Sequence, residues 1–217
     1  MERLAIPDSS NLDVRPIVSV AAARADWKQA LPVLHGNMVS LREPKLADAA
    51  ALLSMVASEE VSRFMSTPPS SIDGFERFIL WTHRERAAGN VICFGVVPHG
   101  MDRPVGVFQI HKLDANFETA EWGFAIGSRF WHSGVYGDAA ALVLEFAFNT
   151  VGARRLEARA AVANGRGNGA LRKVGATRVS VLHASFEKDG RYFDQGLWTL
   201  LDRDWRRTRV LHSTRVH

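Results

Sequence analysis

The chain has 217 residues, of which 47% are hydrophobic and 23% are charged, and it carries a formal net charge of +4. This composition is that of a globular protein, and the length is enough for one domain with a sizeable core. No apolar run approaches the roughly 20 residues that span a bilayer, so we expect no membrane segment.

The first predicted elements are a strand and three helices. Polar and apolar residues alternate over residues 35–44 ("HGNMVSLREP"), which predicts a strand. The period then becomes helical in "KLADAAALLSMVA", and a short helix follows in "EEVSRFMS", which "TPPSS" must end. The apolar stripe of the first helix is predicted to contain Leu46, Ala49, Ala50, Leu53 and Val56. Ser71 is a good N-cap for the third helix, and Gly89 closes it.

Three strands are predicted next. "VICFGVVP" and "PVGVFQIHKL" are joined by the turn-forming "HGMDR" and predict an antiparallel hairpin. "TAEWGFAIG" follows as a third strand with two distinct faces. One face carries Glu121, Gly123 and Ala125, and the other carries Trp122, Phe124 and Ile126.

The second half of the chain predicts a helix, a strand, a helix and a hairpin. The helical stripe consists of Val135, Ala139, Leu142, Val143 and Phe146, and Gly152 ends the helix. "RRLEARAAV" is the next strand, "GNGALRKV" a helix, and the final hairpin turns at 188–190. A strand-helix-strand crossover within an otherwise antiparallel sheet predicts an α+β sandwich with one parallel pair of strands.

The segment "FWHSGVYGDAA" joins the strand in "TAEWGFAIG" to a helix through small residues. Because the first amides of a helix have no helical partner, this turn would present about four N–H groups near Ser133, Gly134 and Gly137. With the helix dipole they would bind an anion such as a phosphate or pyrophosphate. A tight turn without any ligand is the alternative. The segment is neither a Walker A loop nor a G-x-G-x-x-G motif.

An ordered set of segments carries a family resemblance. "LHGNMVSLREPKLADAAAL", "EEVSRFMSTPPSS", "AEWGFAI", "LEFAFNTVGARRLEARAAVANGR" and "GRYFDQGLWTLL" together resemble the GCN5-related N-acetyltransferases (GNAT), in the RimJ/RimL-like branch of ribosomal-protein N-terminal acetyltransferases. The resemblance implies a mixed, mostly antiparallel twisted sheet with helices on both faces, and acetyl-CoA as co-substrate without a metal. We expect this domain at 34–205, an N-terminal extension at 1–33 and a basic tail at 206–217.

The resemblance also implies the coenzyme contacts. The family motif Q/R-x-x-G-x-G/A, which holds the pyrophosphate, falls on residues 131–136, where Tyr136 departs from the small final residue. The implied contacts are Phe124, Ala125, Ile126, Trp131, His132, Ser133, Gly134, Val135, Tyr136, Gly137 and Asn164. The strand would have to bulge or splay to offer its backbone to the pantetheine arm. The family tyrosine that protonates the leaving thiolate falls on Leu171.

Transfer of an acetyl group to an amine requires that the amine lose a proton, and Glu121 is the candidate base. The alternative for Glu121 is an exposed carboxylate or a salt bridge with Arg155 or Arg159. Candidate proton donors are Ser133, Tyr192 and solvent. The acceptor, a peptide N-terminus or a small amine, would contact Phe64, Met65, Trp122 and Tyr192, although such side chains are often core residues.

Two further features bear on compartment and partners. The single cysteine, Cys93, cannot form an internal disulfide, and the first thirty residues lack an export signal, so a cytoplasmic protein is expected. Cys93 has apolar neighbours and is expected to be buried. The basic cluster at 202–210 contains two aspartates, which argues against a nucleic-acid partner. A homodimer stays open, as does a non-catalytic acyl-CoA-binding module on the same fold.

Overall fold

The computed structural model describes residues 26–213, with side chains up to Arg207, so the predictions made for 1–25 and 214–217 lie outside it. Eight strands form one sheet in the order β1-β2-β3-β4-β5-β6-β8-β7. The strands are β1 (Leu34–His35), β2 (Val39–Arg42), β3 (Val91–Pro98), β4 (Gly106–Lys112), β5 (Thr119–Ile126), β6 (Arg155–Ala161), β7 (Thr177–Lys188) and β8 (Arg191–Leu201). Every neighbouring pair is antiparallel except β5 and β6.

Helices cover both faces of the sheet. They are α1 (Ala49–Val56), α2 (Glu59–Ser62), α3 (Ile72–Ala87), α4 (Val135–Glu145), α5 (Gly165–Lys173) and α6 (Asp202–Ser213). On one face α1 and α3 bury Leu52 and Ile79 in a cluster that includes Ala125 of β5. On the other face α4 buries Val143 in a larger cluster that includes Trp122. The predicted α+β fold with a parallel pair and helices on both faces is confirmed.

Several elements end where local sequence signals predict. The Ser71 hydroxyl accepts a hydrogen bond of 3.1 Å from the Gly74 amide and caps α3. Gly152 ends the helical segment with a φ of 88°, a left-handed value that suits glycine. At the tip of the last hairpin Asp189 and Gly190 have φ values of 53° and 74°, as a tight hairpin turn requires.

Two predictions near the N-terminus differ from the structure. The strand expected within 35–44 is present as β2, but the sequence did not predict β1, which forms a hairpin with β2; in its turn the Gly36 amide donates to the Val39 carbonyl at 2.8 Å. The helix after it begins with a 3-10 turn over Leu46–Asp48, so α1 starts late and its phase shifts. Leu52 is therefore fully buried, while Leu46, expected in the stripe, is 44% exposed.

The parallel pair of β5 and β6 is short, and this determines where the cleft lies. The two strands are paired at three positions only, the last of which joins Glu121 to Glu157. Beyond it β5 remains paired with β4 as far as Ile126, and β6 remains paired with β8 as far as Ala161. The family resemblance implied a bulge or a splay of this strand, and a splay is present, so that a gap opens within the sheet.

The described part of the predicted N-terminal extension packs on the domain. The Trp27 ring lies edge-on to the Phe117 ring at 5.6 Å between centroids, and Leu31 belongs to the larger core cluster. Among the residues that the structure describes, no helix is long and apolar enough to cross a membrane.

Candidate active site

A cleft of about 1910 Å³ opens where β5 and β6 diverge. We call the residues from the starts of α4 and α5 its coenzyme side, which comprises Trp131, His132, Gly134, Tyr136, Gly137, Asn164, Gly165, Arg166 and Gly167. We call the opposite residues its acceptor side, which comprises Glu59, Glu60, Val61, Arg63, Phe64, Met65, Ser66, Phe186 and Gln195. Between them, β5 contributes all six residues of 121–126.

The turn into α4 exposes backbone amides to the cleft. Gly134 is the N-cap with a φ of 92°, and a Cβ there would lie 2.9 Å from the Met38 sulfur. The next amides, up to Gly137, belong to the first turn and have no helical carbonyl to bind; of these, the Val135 amide donates to the Ser133 hydroxyl at 3.3 Å. Ser133 and Val135 are among the predicted contacts but do not line the cleft. The Ser133 hydroxyl instead donates to the Phe130 carbonyl at 2.6 Å.

Asp138 ties this turn to the first hairpin. Its carboxylate accepts hydrogen bonds from the amides of Asn37, Met38 and Val39 at 3.1, 2.8 and 3.0 Å. A Cβ on Gly36 would lie 2.3 Å from this carboxylate, so the glycine permits the close approach. The first turn of α4 is therefore held in place by the β1–β2 hairpin from the side away from the cleft.

The Tyr136 side chain extends from α4 to the backbone of α5. Its hydroxyl donates to the Ala170 carbonyl at 3.0 Å, and its ring centroid lies 4.7 Å from that of Phe124. Burial raises the pKa of Tyr136, so the phenol stays protonated at neutral pH. The large side chain at this position of the motif fills space beside β5.

The backbone of β5 presents Phe124 to the gap. The Gly127 amide donates to the Val105 carbonyl at 2.9 Å, and the Leu113 amide donates to the Thr119 carbonyl at 3.0 Å. Antiparallel pairing alternates along a strand, so odd-numbered residues of β5, Ala125 included, bond to β4. The amide and carbonyl of Phe124 therefore point toward the splay.

Glu121 lies at the last paired position before the splay and faces an arginine of β6. Its carboxylate accepts a hydrogen bond from Arg159 Nη1, and the two side chains are 32% and 35% exposed. The salt bridge considered from the sequence is thus present, with Arg159 as the partner, and Glu121 also lines the cleft. His111 lies opposite on β4; burial lowers its pKa, and the Glu121 charge acts in the other direction.

The acceptor side is closed by contacts between α2 and the last hairpin. The Lys188 ammonium donates to the carbonyls of Ser62 and Met65, the latter at 3.2 Å. The Phe64 ring packs edge-on against Phe193, with 6.2 Å between centroids. These contacts hold the acceptor side against the tip of the hairpin, across the cleft.

The predicted acceptor residues have different placements. Phe64 and Met65 line the cleft, and Trp122 lines it while being 2% exposed and part of the core. Tyr192 does not line it and is 71% exposed. Phe186, which the sequence did not single out, lines it from the hairpin instead. Tyr192 pairs with Glu187 one position closer to the turn, so its side chain lies on the opposite face of the hairpin from Phe186.

The start of α5 is built on two asparagines. The Asn164 side-chain oxygen accepts from the Gly167 amide at 2.9 Å and caps the helix, so part of its hydrogen-bonding capacity is structural. Asn168, which sequence reasoning missed, is buried; its amide donates to the Ala161 carbonyl at 2.8 Å and its oxygen accepts from Trp198 at 3.0 Å. Leu171, at the family's tyrosine position, is buried at the cleft.

The described part of the chain contains no cluster of three His, Cys, Asp or Glu residues that could hold a metal ion. Cys93 is buried as expected, and burial raises the pKa of its thiol to about 12, although Gln109 acts in the opposite direction. A thiol with this pKa is protonated at neutral pH and is a poor nucleophile.

Comparisons with known proteins agree on one family. The model of the family described as "Acetyltransferase (GNAT) domain" matches residues 39–177. The chain is 22% identical to "Uncharacterized N-acetyltransferase p20" of Bacillus licheniformis, over 81% of this chain and 99% of that protein. It is 26% identical to "Putative ribosomal N-acetyltransferase YdaF" of Bacillus subtilis (strain 168), over 77% of this chain and 92% of that protein.

Among solved structures, Mycobacterium smegmatis RimJ in complex with CoA-disulfide has the same fold. The TM-score is 0.74 at 20% sequence identity, covering 84% of this chain and 94% of that one.

Proposed function

Because the chain belongs to the GNAT acetyltransferase family, in its RimJ/RimL-like branch, it is an acyltransferase, and we propose that it acetylates a primary amine with acetyl-CoA, using Glu121 as the base. The acceptor we propose is the N-terminal amine of a peptide or protein, with small amines as the other class. The observation that carries the proposal is the position of Glu121, at the point where β5 and β6 diverge and inside the cleft.

The coenzyme side fits a diphosphate followed by an extended arm. The first-turn amides of α4 and the positive end of its dipole attract an anion, and Gly134 has no side chain to obstruct its approach. The Phe124 carbonyl faces the splay, where it can accept a hydrogen bond from an amide of the pantetheine arm as in a neighbouring strand. This pairing would direct the thioester along β5 toward Glu121.

The reaction needs a neutral amine. Glu121 removes a proton from the ammonium form of the acceptor, directly or through a water molecule, and the nitrogen lone pair then attacks the thioester carbonyl carbon. The Phe124 amide is the donor best placed to stabilise the negative charge that develops on the carbonyl oxygen. The C–S bond breaks, the coenzyme leaves as a thiolate, and the acetylated nitrogen gives its second proton to solvent to form the neutral amide. Arg159 holds the Glu121 side chain at the edge of the cleft through their ion pair.

We propose that solvent protonates the leaving thiolate. Leu171 has no proton to give, the Ser133 hydroxyl already donates to Phe130, and Tyr192 does not line the cleft. The thiolate of a thiol with an ordinary pKa, about 8.5, is a good leaving group and needs no proton before the C–S bond breaks. The cleft is open enough for water to reach this position.

The acceptor class is proposed from the acceptor side together with the relatives. Phe64, Met65 and Phe186 supply apolar surface for the first side chains of a peptide, and Gln195 adds a polar group. One relative is named "Putative ribosomal N-acetyltransferase YdaF", and one structural neighbour is described as a "putative ribosomal-protein-serine acetyltransferase from Vibrio cholerae". A peptide N-terminus acetylated in the cytoplasm is consistent with both.

The test is release of free coenzyme A thiol with a panel of N-terminal peptides and small amines. Glu121→Gln is expected to leave acetyl-CoA binding intact and to lower the rate roughly 100-fold or more at neutral pH. Glu118→Gln is the matched control, because Glu118 also pairs with an arginine, Arg154 at 3.7 Å, but does not line the cleft. An unchanged rate in Glu121→Gln would remove Glu121 from the mechanism.

A protein that binds acetyl-CoA but releases no thiol with any amine in the panel would contradict the proposed reaction. In that case the cleft would bind the coenzyme for a purpose other than transfer to an amine.

A further inference from the structure

Arg166 is a cation without a counter-ion at the coenzyme side of the cleft. Among the residues that the structure describes, its guanidinium takes part in no ion pair and no hydrogen bond. It nevertheless has a defined position, because its guanidinium carbon lies 3.5 Å from the centroid of the Trp131 ring. A cation within about 6 Å of an aromatic face is attracted by the ring, and a planar guanidinium can also stack on it.

The ring on which Arg166 rests is itself fixed. Trp131 Nε1 donates to the Ile126 carbonyl at the end of β5, at 2.9 Å. Trp131 also directly precedes the turn whose amides face the cleft at Gly134. The stack therefore holds the charge of Arg166 beside the turn into α4, although the two residues are 35 positions apart in the numbering of the chain.

The position of Arg166 along its helix is electrostatically unfavourable. It is the second residue of α5, near the positive end of the helix dipole, and the first turn of α5 contains no acidic residue. By contrast, the first turns of α3 and α4 contain Asp73 and Asp138, the usual arrangement. A cation held at the positive end of one helix, next to the positive end of another, favours a site that an anion completes.

We propose that Arg166, positioned by Trp131, binds a phosphate group of the coenzyme, an inference that rests on the proposed function. When the guanidinium lies flat on the indole, its N–H groups point outward in the plane and can donate to phosphate oxygens. The two phosphate sources in coenzyme A are its diphosphate and its 3′-phosphate, and the same chemistry recognises both. Trp131 is a positioning residue here, since its only polar group is already bonded to Ile126.

Arg172 provides a matched control on the same helix. Its guanidinium carbon lies 5.6 Å from the Trp198 ring, so it is also an arginine beside a tryptophan. It is in the last turn of α5, where a cation is favourable, and it does not line the cleft. Replacing it removes the same charge from the protein without touching the coenzyme side.

The experiment is calorimetric titration of coenzyme A and of 3′-dephospho-coenzyme A into the wild-type protein, Arg166→Ala, Arg166→Lys and Arg172→Ala. Arg166→Ala is expected to weaken binding of coenzyme A about 10- to 100-fold, and Arg172→Ala to leave it unchanged. Arg166→Lys keeps the charge without the planar stack and is expected to fall between wild type and Arg166→Ala. The salt dependence of binding should also become weaker in Arg166→Ala, an effect that a structural role would not produce.

The two ligands identify the phosphate. An equal loss with both ligands assigns Arg166 to the diphosphate, and a loss confined to coenzyme A assigns it to the 3′-phosphate. Wild-type affinity of Arg166→Ala for both ligands would overturn this inference and leave the proposed function intact. A wild-type protein that binds neither ligand would overturn the proposed function and this inference with it.

Discussion

Gly134 has a backbone conformation that residues with a side chain rarely adopt. Its φ is 92°, and an added Cβ would lie 2.9 Å from the Met38 sulfur, so Gly134→Ala meets both strain and a close contact. We expect this substitution to lower the free energy of unfolding by about 1–2 kcal/mol, measured by urea denaturation. Gly134→Glu, which adds a negative charge where the diphosphate is proposed to bind, is expected to abolish coenzyme binding.

Gly137→Ala is the control for this prediction. Gly137 lies in the same first turn and lines the same cleft, but its φ is not in the left-handed region and an added Cβ there has no neighbour within 4 Å. It is expected to keep wild-type stability or gain slightly from helix propensity. Equal stability of Gly134→Ala and Gly137→Ala would show that the strain argument at Gly134 is mistaken.

Asp48 is a buried carboxylate, and its ion pair with Arg42 stabilises its charged form. Burial alone would raise the pKa of Asp48, but hydrogen bonds from Arg42, at 2.6 and 3.0 Å, and from the Lys45 amide hold it below the ordinary value. As the pH falls, Asp48 therefore takes up a proton at a higher pH in the unfolded chain than in the folded protein. The stabilisation is complete above the unfolded pKa, about 3.9, and is lost as the pH falls through the lower folded value.

We therefore expect wild-type stability to fall as the pH is lowered below about 4, and Asp48→Asn to show a smaller fall over the same window. The measurement is the urea midpoint at intervals from pH 6 to pH 2. Asp73→Asn is the control, since Asp73 is exposed and no partner of its carboxylate is present in the described structure. Parallel curves for wild type and Asp48→Asn would contradict the linkage to Asp48.

At the scale of elements, the tip of the β7–β8 hairpin holds the acceptor side through Lys188. Its ammonium donates to carbonyls at the end of α2 and just beyond, at Ser62 and Met65. Lys188→Met keeps the aliphatic stem and removes both bonds, so the segment 62–66 should become less ordered. We expect faster hydrogen exchange of that segment and a KM for the best peptide acceptor that is raised about three- to tenfold, with unchanged coenzyme affinity.

Arg191→Met serves as the comparison, because Arg191 pairs with Lys188 across the hairpin but is exposed. Arg191→Met also removes one positive charge from the tip. Faster exchange in Lys188→Met alone would therefore be due to the lost hydrogen bonds and not to the lost charge. Unchanged exchange at 62–66 in Lys188→Met would mean that the contacts of Phe64 alone hold this segment.

Elements that depend on local signals were predictable, and those that depend on register were not. The Ser71 cap and the glycine at the end of the α4 segment act within a few residues, so the sequence predicts them. The phase of α1 was mispredicted because a 3-10 turn precedes it. In β7 the register shifts between Leu182 and Phe186, so alternation along the strand could not tell which aromatic residue of the hairpin lines the cleft.

At the scale of the whole molecule, some features of the candidate site were predictable from one segment, and others depend on the tertiary arrangement. Gly134 and the amides around it belong to one segment and were predicted from it, whereas the splay of β5, with a bulge as its alternative, was implied by the family resemblance. The Trp131–Arg166 stack and the Lys188 contacts join segments that are distant in sequence. Their pairing depends on the tertiary arrangement, and a single sequence contains no local signal for it.

Because the parallel pair of β5 and β6 is short, the cleft divides the sheet into two parts. Strands β1 to β5 and strands β6 to β8 are joined through β5 and β6 at three paired positions, and the coenzyme side takes residues from helices on either side of the gap. A ligand bound to both the α4 turn and α5 would connect the two parts. Because it binds only the folded state, it should also stabilise that state.

We therefore expect coenzyme A at 100 times its dissociation constant to stabilise the protein by about 2.7 kcal/mol, which corresponds to a rise in Tm of about 5–10 °C for a domain of this size. Hydrogen exchange should slow at both the α4 turn near Gly134 and the start of α5 near Arg166, since the ligand contacts both. Gly134→Glu is the control and should show no ligand-dependent rise. If exchange slowed at the α4 turn alone, the coenzyme would occupy one wall of the cleft, and it would not connect the two parts of the sheet.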